Sequence, residues 1–346
     1  MRLLRSEPRL ALVLAILVRS GETEELWCPE RGQECSRLAR GGACSLNTEA
    51  IRRCSCNQEE LRIWDLFFSD LDERRGSGVF FDAGGFDGLH RSCNMLLEHC
   101  LGWSGVLMEG QPDNYLKLAR NRPAMNTIGK AICAEAGKVN FSANPEAGTV
   151  AGIPDLMTNE YKELFPHTIS KGVIEVPCEP IREVLQKLGV SYIDYMNLDL
   201  EGAELVAVQS IDFAQAEFGV IVAEVMTHTE VTPAQQAKNE GIATLLQRQG
   251  FVLMVDGVIP RSAVFVNKTL FQQACDALKS NSRSISAWTR HILQFECVSR
   301  PMIEQGQAPF GLDEHRAYFQ ESERLWDTQW LPPHKRTAGR GSVELR

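Results

Sequence analysis

From Val79 to Val266 the chain alternates short apolar runs with amphipathic stretches, the pattern of strands and helices in an α/β doubly wound, mostly parallel sheet. The first run, Val79-Phe-Phe, meets Asp82 and then three glycines within five positions, Gly84, Gly85 and Gly88. An apolar run bounded by glycine suits a strand buried on both faces, and periodicity alone leaves a short buried helix open. A helix is predicted over roughly His90–Leu101, where Leu96, Leu97 and Cys100 recur at helical spacing. Further strands are predicted at Val106–Glu109, Thr127–Cys133, Val173–Val176, Tyr192–Asp199 and Gly219–Glu224. Phe251–Val255 and Ser262–Val266 read as a closing pair joined through Asp256-Gly257. The intervening helices are Asp113–Asn121, Pro180–Leu188, Ala203–Ser210 and Pro233–Gln249, with Gly189 and Gly250 as stops. Ala136–Ser170, with Asn144-Pro145, Gly148, Gly152 and Pro154, reads as a long loop, either substrate-contacting or a solvated insertion.

The flanks follow other rules. Arg2, Arg5 and Arg9 precede the apolar run Leu10–Val18, which exits through Arg19-Ser20-Gly21, so residues 1–20 read as a signal peptide or signal-anchor. Residues 21–75 form a cysteine-rich cap and a leading helix over Glu60–Glu73 with one broad apolar face. Residues 76–270 hold the α/β alternation. Residues 271–331 read as a helical extension, with helices over Phe271–Gln294 and Glu314–Trp326, and 332–346 as a polar, basic, disordered tail.

Composition narrows the classes. At 346 residues and 44% hydrophobic, the chain can bury a large core, and a net charge of −9 argues against nucleic acid as the partner. No run beyond the N-terminal segment suggests a membrane span. Five of eleven cysteines crowd into Cys28–Cys56 without a C-x-x-C pair, which favours disulfides over zinc. Asn140-Phe-Ser142 and Asn267-Lys-Thr269 read as glycosylation sequons. Together these point to the secretory lumen or to secretion.

The chemistry concentrates at strand ends. Asp82-x-Gly84-x-x-x-Gly88 departs from the dinucleotide spacing G-x-G-x-x-G, and Glu109 ends the second strand 27 residues after Asp82. Glu109 is placed to accept from ribose hydroxyls, and Asp82 to face a positive group. A glycine loop with no phosphate to cradle, between acids on two strand tips, fits S-adenosylmethionine better than NAD. The predicted helix start would present free amides to the loop. A second constellation, Leu198-Asp199-Leu200-Glu201-Gly202-Ala203-Glu204, puts Asp199 and Glu201 at the carboxyl end of the fourth strand, able to orient a hydroxyl, take its proton or face a sulfonium. Glu204 suits a first helical turn on dipole grounds alone. His228, four residues beyond Glu224, is a candidate base, and His90 a weaker one. Cys133 reads as core or disulfide, and no metal is required by any of these residues.

Phe81–Gly88, Leu101–Glu109, Asn121-Arg-Pro123 and Ile193–Glu204 together resemble the signatures of FkbM-type methyltransferases, and the resemblance spans about Val79–Lys268. It implies a class I methyltransferase fold, Rossmann-like and doubly wound, and an S-adenosylmethionine-dependent O-methyltransferase whose acceptors are hydroxyls of glycans or small natural products. Asp82, Gly84, Asp87 and Glu109 would contact cofactor, alongside Gly85 and Gly88 of the loop, and Asp199 and Glu201 would line the transfer site. Two departures stand out: Gly85-Phe86 replaces Ala-Asn, and Val225-Met226 replaces His-Asn after the fifth-strand acid, which leaves His228 as the substitute base. The rival reading is a non-catalytic binding protein on the same scaffold.

Overall fold

The structure is a computed structural model that describes residues 59–69, 78–89, 91–144, 149–225, 232–254, 258–259, 261–280, 285–305 and 312–330. The leader-like segment, the cysteine-rich segment up to residue 58, His90, His228, Asp256-Gly257 and the tail from 332 lie outside the described residues.

In chain order the strands are β1 (Val79–Ala83), β2 (Ser104–Met108), β3 (Asn126–Ile128), β4 (Ala131–Ile132) and β5 (Gly137–Ser142), then β6 (Val173–Glu179), β7 (Tyr192–Leu198), β8 (Glu217–Glu224), β9 (Phe251–Leu253) and β10 (Ser262–Asn267). The helices are α1 (Glu59–Phe67), α2 (Met95–Leu101), α3 (Pro112–Asn121), α4 (Asn159–Leu164), α5 (Ile181–Leu188) and α6 (Glu204–Gln209), then α7 (Pro233–Arg248), α8 (Lys268–Lys279), α9 (Ala287–Gln294), α10 (Arg300–Glu304) and α11 (Leu312–Trp330). Seven strands form one sheet in the order β3-β2-β1-β7-β8-β10-β9. All its pairings are parallel except those of β10.

Period-two alternation explains why the central strands read as continuous apolar runs: both faces are covered. Phe80 packs on one face with Leu107, Tyr195 and Val222, beneath Leu61 and Trp64 of α1 and Leu97 of α2. Phe81 packs on the other with Val106, Met196 and Ile221, beneath Val184 of α5 and Leu246 of α7. Trp288 of α9, wholly buried, joins the first face and donates its indole N–H to Ser322 of α11 at 3.1 Å. The C-terminal helices are therefore part of the core.

Three sequence-based expectations need correction. Thr127–Cys133 is two strands in two sheets, because the chain turns at Gly129-Lys130, leaving β3 on β2 and β4 on β6. The expected loop after it contains β5, α4 and a short 3-10 turn. β5 pairs antiparallel with β6 over six residues, giving a second sheet in the order β4-β6-β5. A disulfide between Cys133 and Cys178, whose Cα atoms are 5.7 Å apart, staples that sheet, so Cys133 is not a nucleophile. The helix expected over Phe271–Gln294 breaks after Lys279 and restarts at Ala287, where the Ser286 hydroxyl accepts from Thr289 N–H. A second disulfide joins Cys275 of α8 to Cys297.

Candidate functional site

β1 pairs with β2 on one side and β7 on the other, so the chain's path across the sheet reverses between β1 and β7. Ligands of open parallel sheets bind at the carboxyl ends of strands beside such a reversal. There a cavity of about 480 Å³ opens, lined by Asp82, Gly84, Gly85, Phe86, Glu109, Asn197, Asp199, Glu201 and Glu224 among others. Its size lies within the usual range for ligand pockets, roughly 300–1,000 Å³. The four non-glycine residues with positive φ among the described residues, Phe86, Arg91, Glu201 and Arg261, all line it. Strained backbone collects where function needs a set geometry.

The glycine-loop half is internally satisfied. Asp82 accepts from the side-chain amides of Asn94 at 2.5 Å and Asn197 at 3.0 Å. Burial raises its pKa, and those two amides and Arg122 oppose the rise. Glu109 accepts from the backbone N–H groups of Phe86 at 2.9 Å and Gln111 at 2.7 Å. Burial still pushes its carboxyl up to about 7. Gly84 sits at φ +94°, and a Cβ there would lie 2.0 Å from the Asp199 carbonyl oxygen, so the close approach of β1 and β7 requires glycine. Gly85 lines the cavity without needing positive φ.

The expectation of free loop amides is corrected. The N–H groups of Gly84 and Gly85 both donate to the Met108 carbonyl, that of Gly88 donates to Gly85, and α2 begins only at Met95. The loop offers no array of amides to an anion. Asp87 and Gly88 do not line the cavity. Asp87 accepts from Leu89 N–H, its carbonyl accepts from Asn121, and the Gly88 carbonyl accepts from Arg122. Arg122 is fully buried, pairs with Glu98, and donates to Asn94 at 2.6 Å and Ser92 at 3.1 Å. Sequence reasoning missed this strut, although Asn121-Arg-Pro123 was visible as part of a signature.

The other half is different. Asp199 follows β7, with its N–H donating to Ala83, and Glu201 lies two residues on at φ +54°. Glu224 ends β8, which pairs with β7, so the sheet brings all three together. Burial first, then Glu204 and Asp82, raises Asp199 to about 6, while a hydrogen bond with Glu224 opposes. Burial and then Asp199 hold Glu201 well above the carboxylate range, and burial, Asp199 and Glu201 do the same to Glu224. Like charges crowded out of water cannot all ionise together. Glu204 stands apart: it accepts from the N–H groups of Leu200 and Gly202 at 2.8 and 3.1 Å, a capping role. The second sheet and its insertion supply the facing wall. Tyr161 of α4 is buried, with its hydroxyl in reach of Glu201 and 3.4 Å from the Val150 carbonyl, and His167 lines the cavity. Tyr161 and His167 carry no local motif that marks them.

The residues present fit S-adenosylmethionine. Gly84 leaves a cradle that a Cβ would fill, Glu109 holds unused lone pairs at the β2 tip, and Asp199, Glu201 and Glu224 present acidic oxygens suited to a cation.

Among solved structures, the chain is similar to fibrillarin of Aeropyrum pernix, crystallised with S-adenosyl-L-methionine, at 10% identity, covering 55% of this chain and 66% of that one, with a TM-score of 0.30. It is also similar to an O-methyltransferase of Bacillus cereus, crystallised with SAH, at 13% identity, covering 72% and 94%, with a TM-score of 0.33. No curated protein matches the chain. Residues 82–253 match the model of the methyltransferase FkbM domain, from the Asp82 loop through Asp199 and Glu224 to the end of β9. This chain, across that region, belongs to the FkbM methyltransferase family.

Proposed function

We propose that the protein is an S-adenosylmethionine-dependent O-methyltransferase that methylates a hydroxyl of a glycan or a small natural product. The observation that carries this reading is the division of one cavity into two unlike halves. On one side Gly84, Asp82 and Glu109 form a rigid, acidic wall whose amides are already engaged, which suits a cofactor without phosphate. On the other, Asp199, Glu201 and Glu224 hold buried acidic oxygens beside Tyr161 and His167.

The cofactor, when bound, supplies an electrophilic methyl on a sulfonium. The protein's share is to place the acceptor oxygen in line with that methyl, a positioning term that reaches roughly 7–11 kcal/mol in favourable cases. The acceptor O–H proton then passes to a carboxylate of the cluster, and Asp199, at about 6, is poised to take it near neutral pH. The disulfides Cys133–Cys178 and Cys275–Cys297 support a place in the secretory lumen or outside the cell, where such bonds persist.

Calorimetric titration of the full chain with S-adenosylmethionine and its demethylated product, then assay of methyl transfer to a panel of hydroxylated glycans and small molecules, tests this reading. Saturable binding of both ligands and a methylated hydroxyl are expected. Binding without transfer to any hydroxyl would favour the non-catalytic alternative.

A further inference from the structure

Asp199, Glu201 and Glu224 each offer one oxygen within 4.8 Å of the others. Hard divalent cations bind oxygens at about 2.0–2.6 Å, so two ligands of one ion lie at most roughly 4–5 Å apart. The spacing therefore matches ligands that share an ion.

Acidic clusters are common, and the decisive fact is what these three lack. Other acids of this cavity floor have their partners: Asp82 has two asparagine amides, Glu109 two backbone N–H groups, and the flanking Glu204 the amides of Leu200 and Gly202. Asp199 Oδ1, Glu201 Oε2 and Glu224 Oε2 are buried with no hydrogen-bond partner. Glu201 and Glu224 are only 7% and 8% exposed, and both line the cavity. A buried acceptor left unmatched is unfavourable, and more so when charged. Glu201 also adopts left-handed backbone at φ +54°, which brings it back toward Asp199 and Glu224. The groups facing the cluster are Tyr161, Glu204 and Arg261, so one guanidinium stands against several carboxyls.

We propose that Asp199, Glu201 and Glu224 bind a hard divalent cation of the Mg²⁺ or Mn²⁺ type, contrary to the metal-free site expected from sequence. Resting on the methyltransferase reading above, the ion's role is to hold the acceptor. Three carboxylates fill about half of an octahedral shell, which leaves positions for water and for acceptor oxygens. An acceptor with two neighbouring oxygens, such as a vicinal diol or a hydroxyl beside a carbonyl, would chelate it. Coordination lowers the pKa of a bound hydroxyl, so its proton passes more readily to a cluster carboxylate oxygen outside the ion's shell or to solvent water.

The test is a Mn²⁺ titration of the full chain followed by electron paramagnetic resonance, which reads free Mn²⁺, with an S-adenosylmethionine titration in parallel. Wild type should bind one Mn²⁺ per chain, displaceable by Mg²⁺, and Mn²⁺ should raise its melting temperature. Glu224→Gln and Asp199→Asn should each weaken Mn²⁺ by about tenfold or more, since even partners outside the ligand shell are worth about 10–100-fold. The surface variant Asp113→Asn should bind as wild type. Folded wild type that binds no Mn²⁺ at millimolar concentration, or cluster variants that bind it undiminished, would overturn the inference. Cofactor binding without Mn²⁺ removes the ion and leaves the methyltransferase reading. Mn²⁺ binding without cofactor keeps the ion and removes that reading.

Discussion

The two halves of the cavity use the same residue type in opposite ways. Around the glycine loop, Asp82 and Glu109 are buried acids whose oxygens are met by Asn94, Asn197 and the amides of Phe86 and Gln111. Across the floor, Asp199, Glu201 and Glu224 each keep one buried oxygen that meets no hydrogen-bond partner. A satisfied buried carboxyl fixes local geometry, because moving it breaks hydrogen bonds in a low-dielectric setting. An unsatisfied one stores unfavourable free energy that a ligand can relieve. The first half is thus a preformed mould, and the second is a set of contacts completed by what binds.

The sharpest way to break the mould is Arg122→Ala. Arg122 is fully buried and holds Glu98, Asn94, Ser92 and the Gly88 carbonyl at once. Its loss should destabilise the protein by about 3–5 kcal/mol, the usual penalty for leaving a buried charge partner unmatched. Chemical denaturation measures this, and a change below about 1 kcal/mol would mean the loop stands without its strut.

Next in size is Glu109→Ala, which frees the Phe86 and Gln111 amides and removes the acid from the β2 tip. Cofactor affinity should fall about 10–100-fold, or roughly 1.4–2.8 kcal/mol. Calorimetry with wild-type affinity would remove Glu109 from the cofactor wall.

The second half should answer to pH. Asp199, Glu201 and Glu224 hold protons more tightly in the folded chain than in the unfolded one. Their contribution to stability is therefore fully present below the ordinary carboxylate range and is lost as pH rises through the folded values, which for Asp199 is about 6. Metal-free protein should melt at higher temperature at pH 5 than at pH 8 through these groups. Glu224→Gln, which removes one repelling charge, should raise the melting temperature at pH 8 by about 2–4 °C, as on the order of 1 kcal/mol does in a large domain. A variant with the same pH slope as wild type would show that the cluster does not repel.

Smallest is Tyr161→Phe. Losing one hydroxyl beside Glu201 should leave cofactor binding unchanged and slow methyl transfer about three- to tenfold, the scale of one hydrogen bond. A loss of cofactor affinity instead would move Tyr161 to the other half.

Much of the mould was legible in the amino-acid order. β1, β2, β7 and β8 are buried on both faces, so their apolar runs stand out, and the acids Asp82, Glu109, Asp199 and Glu201 sit in or next to those runs. The second half was not. β5 opens with the exposed Gly137-Lys138 and is buried only at Phe141 and Ser142, so no alternation distinguishes it from a loop. Tyr161 and His167 ride on the same insertion, so their arrival at the cavity depends on the β5–β6 pairing and the Cys133–Cys178 staple. Glu224 was legible as the acid that ends the fifth strand, but its neighbours in the cavity were not. Only the β7–β8 register, which sets Leu198 opposite Ala223, brings it to Asp199 and Glu201. The loop amides were misread because their acceptor, the Met108 carbonyl, belongs to another strand.

The most direct test of this division is one titration series with the demethylated cofactor against wild type, Glu109→Ala and Glu224→Gln. The expected result is a single saturable site in wild type, much weaker binding in Glu109→Ala and little change in Glu224→Gln. Equal losses in both variants, or no binding by folded wild type, would contradict it.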